Sequence, residues 1–106
     1  MVKISTESRL NTFYENYGVE SINLIIDRHE LSKEKRQWFA VRFASDDQEF
    51  EKECTKKMNE LSKKIEEIDV ELENKGIDNN LRTNTLKQLK KIFGENISSG
   101  FVESDF

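Results

Sequence analysis

No proline occurs anywhere in this chain of 106 residues, and it has only four glycines, one cysteine, one tryptophan and one histidine. Each scarcity excludes something. Without proline, and with glycine only at 18, 76, 94 and 100, the backbone has few obligatory breaks. A lone Cys54 cannot build an internal disulfide framework. Four scattered glycines supply no phosphate-cradling loop. One histidine, with no Cys-x-x-Cys or His-x-x-x-His spacing, leaves a structural zinc without a ligand set. No cofactor or metal is therefore expected. No run of 18 apolar residues exists, so no membrane partner is expected either. The start, MVKISTESRL, has no apolar stretch of signal-peptide type, which points to the cytoplasm.

What is present is charge. Charged residues make up 36% of the chain and apolar residues 35%, a balance that suits an elongated helical domain or one that buries apolar surface on assembly. The length allows one domain with a modest core. Net charge is −4, and its sign alternates along the chain. Residues 46–75 carry eleven acids and six bases, residues 78–94 one acid and four bases, and residues 95–106 three acids and no base. There is no global basic field to hold phosphates. The proline-free, Lys-, Asn-, Ile- and Glu-rich composition fits an AT-rich genome, such as that of a phage or plasmid.

Ser5 or Thr6 is placed to cap a short first helix, with Leu10, Phe13, Tyr14 and Tyr17 as its apolar side and Gly18 as its stop. In QWFAVRFAS, Phe39, Val41 and Phe43 alternate with Trp38, Ala40 and Arg42, the period of a half-buried strand. In SINLIIDRHEL, Ile22, Leu24 and Ile26 point one way and Asn23 and Asp27 the other. The expectation is a β-hairpin with strands at about 21–29 and 37–44. The rival reading is two helices joined at Ser32, within an all-α bundle, because Ser-Lys-Glu-Lys also has the form of a helix start.

Ser45-Asp46-Asp47-Gln48 has the form of a capping box, with acids at the positive end of the helix dipole. A long helix follows to Lys75. Its apolar positions, Phe50, Cys54, Met58, Leu61, Ile65, Ile68 and Leu72, make a heptad seam from Cys54 onward. Glu53–Lys57, Glu60–Lys64 and Glu71–Lys75 are i,i+4 pairs in the favourable order. Gly76 ends it, Asp78 or Asn80 caps a shorter helix to about Phe93, and Gly94 closes that one. The short turn between them predicts an antiparallel pair. The expected fold class is therefore α+β: short helix, hairpin, and two antiparallel helices over 1–94, with a flexible acidic tail at 95–106.

Catalytic candidates are few. His29 needs a partner such as Cys54 to act in nucleophilic chemistry, but Cys54 lies on the apolar seam between Glu51 and Glu53, the setting of an inert buried thiol. Carboxylates such as Glu66 and Glu67 fall on a solvated helix face. The chain reads as a non-enzyme.

Two binding readings remain. A lone hairpin has open edges, and the seam from Phe50 to Met58 has no obvious cover within so short a chain. Both features point to a self-associating adaptor or inhibitor of another protein, a dimer first of all. Its expected interface residues are Phe50, Cys54, Met58, Glu60, Glu67 and Glu71. The alternative is a small DNA- or RNA-binding regulator. Its contacts would be cations of the hairpin loop and the last helix: Lys33, Lys35, Arg36, Arg82, Lys87, Lys90 and Lys91.

Overall fold

The computed structural model describes residues 5–105 and, among them, contains no strand. Three helices run in chain order: α1 (Ser5–Phe43), α2 (Gln48–Asn74) and α3 (Asn79–Phe93). A single 3₁₀ turn, Glu103–Asp105, follows. The expected β-hairpin at 21–29 and 37–44 is helix up to Phe43, so the α+β class is corrected to the all-α alternative, with the helix running unbroken through Ser32 and no junction of two helices there.

The correction has a physical reason. In 21–29 the buried side chains are Ser21, Ile22, Ile25 and Ile26, spaced as one helical face, while Leu24 is only half-buried. The alternation at 38–43 runs through exposed positions: Phe39, Val41 and Phe43 all face solvent. Nothing between the two segments forces a turn, because residues 30–37 contain neither glycine nor proline.

Gly18 interrupts α1 without ending it. It sits at φ 80, ψ 171, inside an otherwise continuous helix. That region of backbone space is essentially closed to residues with a Cβ. Across the kink the buried Ser21 hydroxyl donates to the carbonyl of Tyr17 at 2.9 Å. The proposed cap by Ser5 or Thr6 rests on side chains outside the described ones.

Two elements do meet at Ser45, though the cap is Asp47. Its carboxylate accepts from the amides of Glu49 at 3.0 Å and Phe50 at 3.4 Å, while Ser45 Oγ accepts from the Asp47 amide at 3.2 Å. Aspartate two residues nearer the helix meets both the geometry and the dipole.

The far end of α2 stops at Gly76, with φ 80. The Gly76 amide donates to Glu73 and the Ile77 amide to Leu72, at 2.9 and 3.0 Å. This double closure satisfies two terminal carbonyls and turns Ile77 back beside Leu72, and both are fully buried.

The partner of α2 is α1, not α3. Both α2 and α3 pack on α1, which corrects the expected antiparallel pair of the last two helices. Length decides it: the stretch of α1 after Gly18 matches the 27 residues of α2, whereas α3 has only 15. The core lies at one end, where Leu10, Phe13, Ile22, Ile25 and Ile26 of α1 meet Leu72, Ile77, Leu89 and Ile97. Toward the other end only α1 and α2 continue, with Leu61 and Cys54 buried along their seam. The molecule measures 54 × 28 × 23 Å.

Residues 95–105 return onto α1. Asn23 Nδ2 donates to the Phe101 carbonyl at 3.0 Å, and Asn23 Oδ1 accepts from the amides of Gly100 and Phe101 at 3.0 and 3.1 Å. Phe101 packs on Phe93 with ring centroids 4.7 Å apart. Phe106 lies outside the described residues.

A Cβ on Gly18 would meet open space, so the cost of Gly18→Ala is conformational alone. It is expected to destabilise the fold by about 1–3 kcal/mol, read from urea unfolding midpoints. An unchanged midpoint would show that the kink is not required.

Candidate functional site

Three features outside the core could do chemistry or binding: an ionic junction, a basic groove and an apolar tip.

The junction is centred on Asp69 of α2. Arg28 of α1 contacts both carboxylate oxygens, through Nε to Oδ1 and through Nη2 to Oδ2, the latter at 3.3 Å. Arg82 of α3 donates from Nη1 to Oδ1 at 3.0 Å and from Nε to the Ile77 carbonyl at 3.2 Å. One carboxylate thus ties all three helices. Arg82 is the better shielded guanidinium, with its side chain 11% exposed against 36% for Arg28. Charge-assisted, two-point contacts of this kind set orientation as well as attraction.

On the neighbouring face, α1 and α3 enclose a groove of about 280 Å³. Arg28, His29, Ser32 and Arg36 line it from α1, and Arg82 and Thr83 from α3. His29 is held below its ordinary pKa of 6.5, first by burial and then by the positive charges of Lys90, Arg36 and Lys33, against which Glu95 works in the opposite direction.

The two cation sets of the sequence, some fifty residues apart, therefore converge in part. Arg36 and Arg82 line the groove with His29, and Lys33 and Lys90 act on His29 through their charge without lining it. Lys35, Lys87 and Lys91 do not line the groove.

The tip is the open end of the α1–α2 hairpin. Phe39, Val41 and Phe43 are 54%, 45% and 85% exposed. The Phe39 and Phe43 rings stack with centroids 6.4 Å apart, one helical turn from each other.

The expected interface residues divide differently. Cys54 is fully buried inside the single chain. Phe50 and Met58 are half-buried, while Glu60, Glu67 and Glu71 face solvent. The cover over the seam comes from α1, which packs along α2. Leu61 and Leu72 are buried further along the same seam.

A His29–Cys54 dyad is excluded by register. The Arg28–Asp69 pair sets His29 level with Ile68, and fourteen helical residues separate Ile68 from Cys54, roughly 20 Å. Among the described residues no group of three or more His, Cys, Asp and Glu could hold a metal ion. No helix among them is long and apolar enough to cross a membrane. Comparison with protein-family models, with curated proteins and with solved structures finds no match to this chain.

Asp69, Asn23 and His29 all escaped the sequence reading as partners of distant residues. Their roles depend on which helix α3 packs against, and no local spacing encodes that. The one available signal was the i,i+3,i+4 pattern of Ser21, Ile22, Ile25 and Ile26, which makes 21–29 helical and puts His29 on the flank of a buried face.

Two measurements check this geometry. Asp69→Asn leaves two guanidiniums facing a neutral amide and is expected to cost about 1–3 kcal/mol in urea unfolding. Arg28→Gln combined with it should add little further if the junction is a single unit. The second concerns pH. The unfolded histidine binds a proton more tightly than the folded one. The stability His29 contributes is therefore present above pH 6.5 and is lost as pH falls through the lower folded value. His29→Gln should flatten that part of the stability profile relative to the natural chain. Identical slopes in the two proteins would exclude the linkage.

Proposed function

We propose that this chain is a non-enzymatic, self-associating protein-interaction module, used as an adaptor or inhibitor of another protein, and that it docks through the open end of its α1–α2 hairpin. The observation that supports this is the bare aromatic tip: Phe39 and Phe43, exposed and stacked on each other, with the exposed Val41 between them, whereas the other exposed large apolar side chains among the described residues, Val70, Phe93 and Val102, are spread over three separate segments.

Isolated exposed apolar residues need no explanation, but a cluster of aromatics is the usual anchor of a protein contact. Aromatic rings contribute large buried area at small entropic cost once a partner covers them. A second copy offers a ready solution. Two hairpin ends meeting about a two-fold axis would bury the same patch on each side.

This reading shifts the interface relative to the seam residues. Cys54 is covered by its own chain and is not available to a partner. Phe50 lies in the first turn of α2, beside the loop that ends the tip, and can extend the patch. Glu60, Glu67 and Glu71 lie further along α2, on a face that would repel a second acidic copy and so favours end-to-end over side-by-side contact. The non-enzymatic part of the reading is supported by the separation of His29 from Cys54 and by the cationic, carboxylate-poor surroundings of His29.

Sedimentation over a concentration series tests the proposal. The natural chain is expected to shift from monomer to dimer as concentration rises. Phe43→Asp, at a position 85% exposed, should remain monomeric while its unfolding midpoint stays within about 0.5 kcal/mol of the natural chain. A natural chain that stays monomeric at every concentration would remove self-association from the reading.

A further inference from the structure

We propose that the groove between α1 and α3 is a phosphate-binding site, with His29 at its centre and the phosphate group of a small molecule as its ligand.

The case starts from unbalanced charge. Arg28 and Arg36 of α1 and Arg82 of α3 line the groove, and the positive charges of Lys33 and Lys90 act on His29 from outside its lining. Against these cations, Asp69 is committed to Arg28 and Arg82, Glu95 acts on His29, and Glu73 and Asp78 share the adjoining cavity with Arg28 and Arg82, on the far side from Arg36. Lys33, Arg36 and Lys90 have no ion-pair partner among the described residues. Bringing cations together without counter-charge costs free energy, and an anion seated among them recovers it.

Donor geometry adds to charge. The Asp69 carboxylate fixes the guanidiniums of Arg28 and Arg82 from behind, so they are held in place before any ligand arrives. Arg28 uses Nε and Nη2 on Asp69, and Arg82 uses Nε on Ile77 and Nη1 on Asp69, so each keeps N–H groups for another acceptor. The hydroxyl of Ser32 and the backbone start of α3 at Asn79 stand on the same lining. Ile25 and Leu86 form apolar parts of its wall, which lowers the local dielectric. Planar guanidiniums with a hydroxyl and an imidazole are the donor set that oxyanions of phosphorus take.

Size and surroundings favour a small ligand over a nucleic-acid strand. The groove holds about 280 Å³. Helix α2 carries nine acids and five bases, and its carboxylates would oppose a continuous phosphate backbone laid across the molecule. Of the α3 cations only Arg82 lines the groove, while Lys87, Lys90 and Lys91, which a backbone track along α3 would use, do not.

His29 is the only histidine of the chain, so its ring signals in a proton–carbon NMR spectrum report the site without ambiguity. The full chain is titrated at fixed near-neutral pH with inorganic phosphate, with sodium chloride matched in ionic strength, and with a duplex oligonucleotide. Phosphate is expected to shift the ring signals saturably and toward the protonated form. The bound anion offsets Lys90, Arg36 and Lys33, while Glu95 acts in the same sense as the anion throughout.

Arg36→Gln, at an exposed position, should weaken the phosphate response about tenfold. Lys56→Gln, on the exposed face of α2, should leave it unchanged. Three results would overturn the proposal: a phosphate response no larger than that of chloride, an Arg36→Gln response equal to that of the natural chain, or duplex binding far tighter than phosphate with amide shifts at Lys87 and Lys91. The last would assign the cations to a nucleic-acid backbone instead.

Discussion

Everything in this fold leans on one buried stripe. Ile22, Ile25 and Ile26 of α1 are almost wholly removed from water, and they are the surface on which α2, α3 and the returning C-terminal segment come together through Leu72, Ile77, Leu89 and Ile97. A chain this rich in charge has little other apolar material to spend on a core. Three neighbouring side chains of one helix serve every other element, and that makes α1 the shared partner. The ionic junction at Asp69 follows from it. Arg28 lies one turn past Ile25 on α1, so once the stripe is buried its guanidinium is delivered to α2, where Arg82 of α3 joins it. Burial brings the helices together without direction. The directional contacts at Asp69 then fix how they sit.

The same stripe explains what was legible in the sequence and what was not. The long helix α2 was readable because its seam recurs at regular spacing over six turns and its ends carry explicit signals, an aspartate cap and a left-handed glycine. Its N-terminal cap was misassigned by two residues, since Ser45 and Asp47 both have the right chemistry and only the backbone angle separates them. The segment 21–44 misled for a specific reason. Ile22, Leu24 and Ile26 fit a two-residue period, yet Ile25 breaks it and completes a helical face. The alternation from Trp38 to Phe43 is real, but it lies on an exposed surface and so carries no information about the core. The absence of glycine and proline between the two segments, read as a physical constraint, argued for continuous helix and outweighs the alternation.

The groove at His29 was legible only in its parts. Lys33 and Arg36 stood out as one cluster, and Arg82 and Lys90 as another. Pairing α3 with α2 would have kept them apart. Placing α3 on α1 brings Arg82 to the groove that Arg36 lines, and puts the charges of Lys33 and Lys90 within reach of His29. The tail followed a similar course. Its serines and acids give no sign of a docking role, while Asn23, a lone polar residue in an apolar run, turns out to bond the backbone at Gly100 and Phe101. A polar side chain beside a buried face is worth reading as the holder of some distant backbone group, because its own amide must be satisfied there.

The elongated shape separates stability from contact. Near the chain's centre of packing, three helices and the tail share one cluster. At the far end α1 and α2 continue alone and cover each other through Leu61 and Cys54. The apolar residues beyond that, Phe39, Val41 and Phe43, contribute nothing to the cluster because they lie outside it. A tip placed so far from the core can be aromatic, and can change, without loosening what holds the chain together. Selection for solubility acts against exposed phenylalanine, whereas selection for folding is indifferent to it at this position. The fold therefore gives no account of two stacked rings at the end of a 54 Å molecule, and that gap is what the proposed docking role draws on.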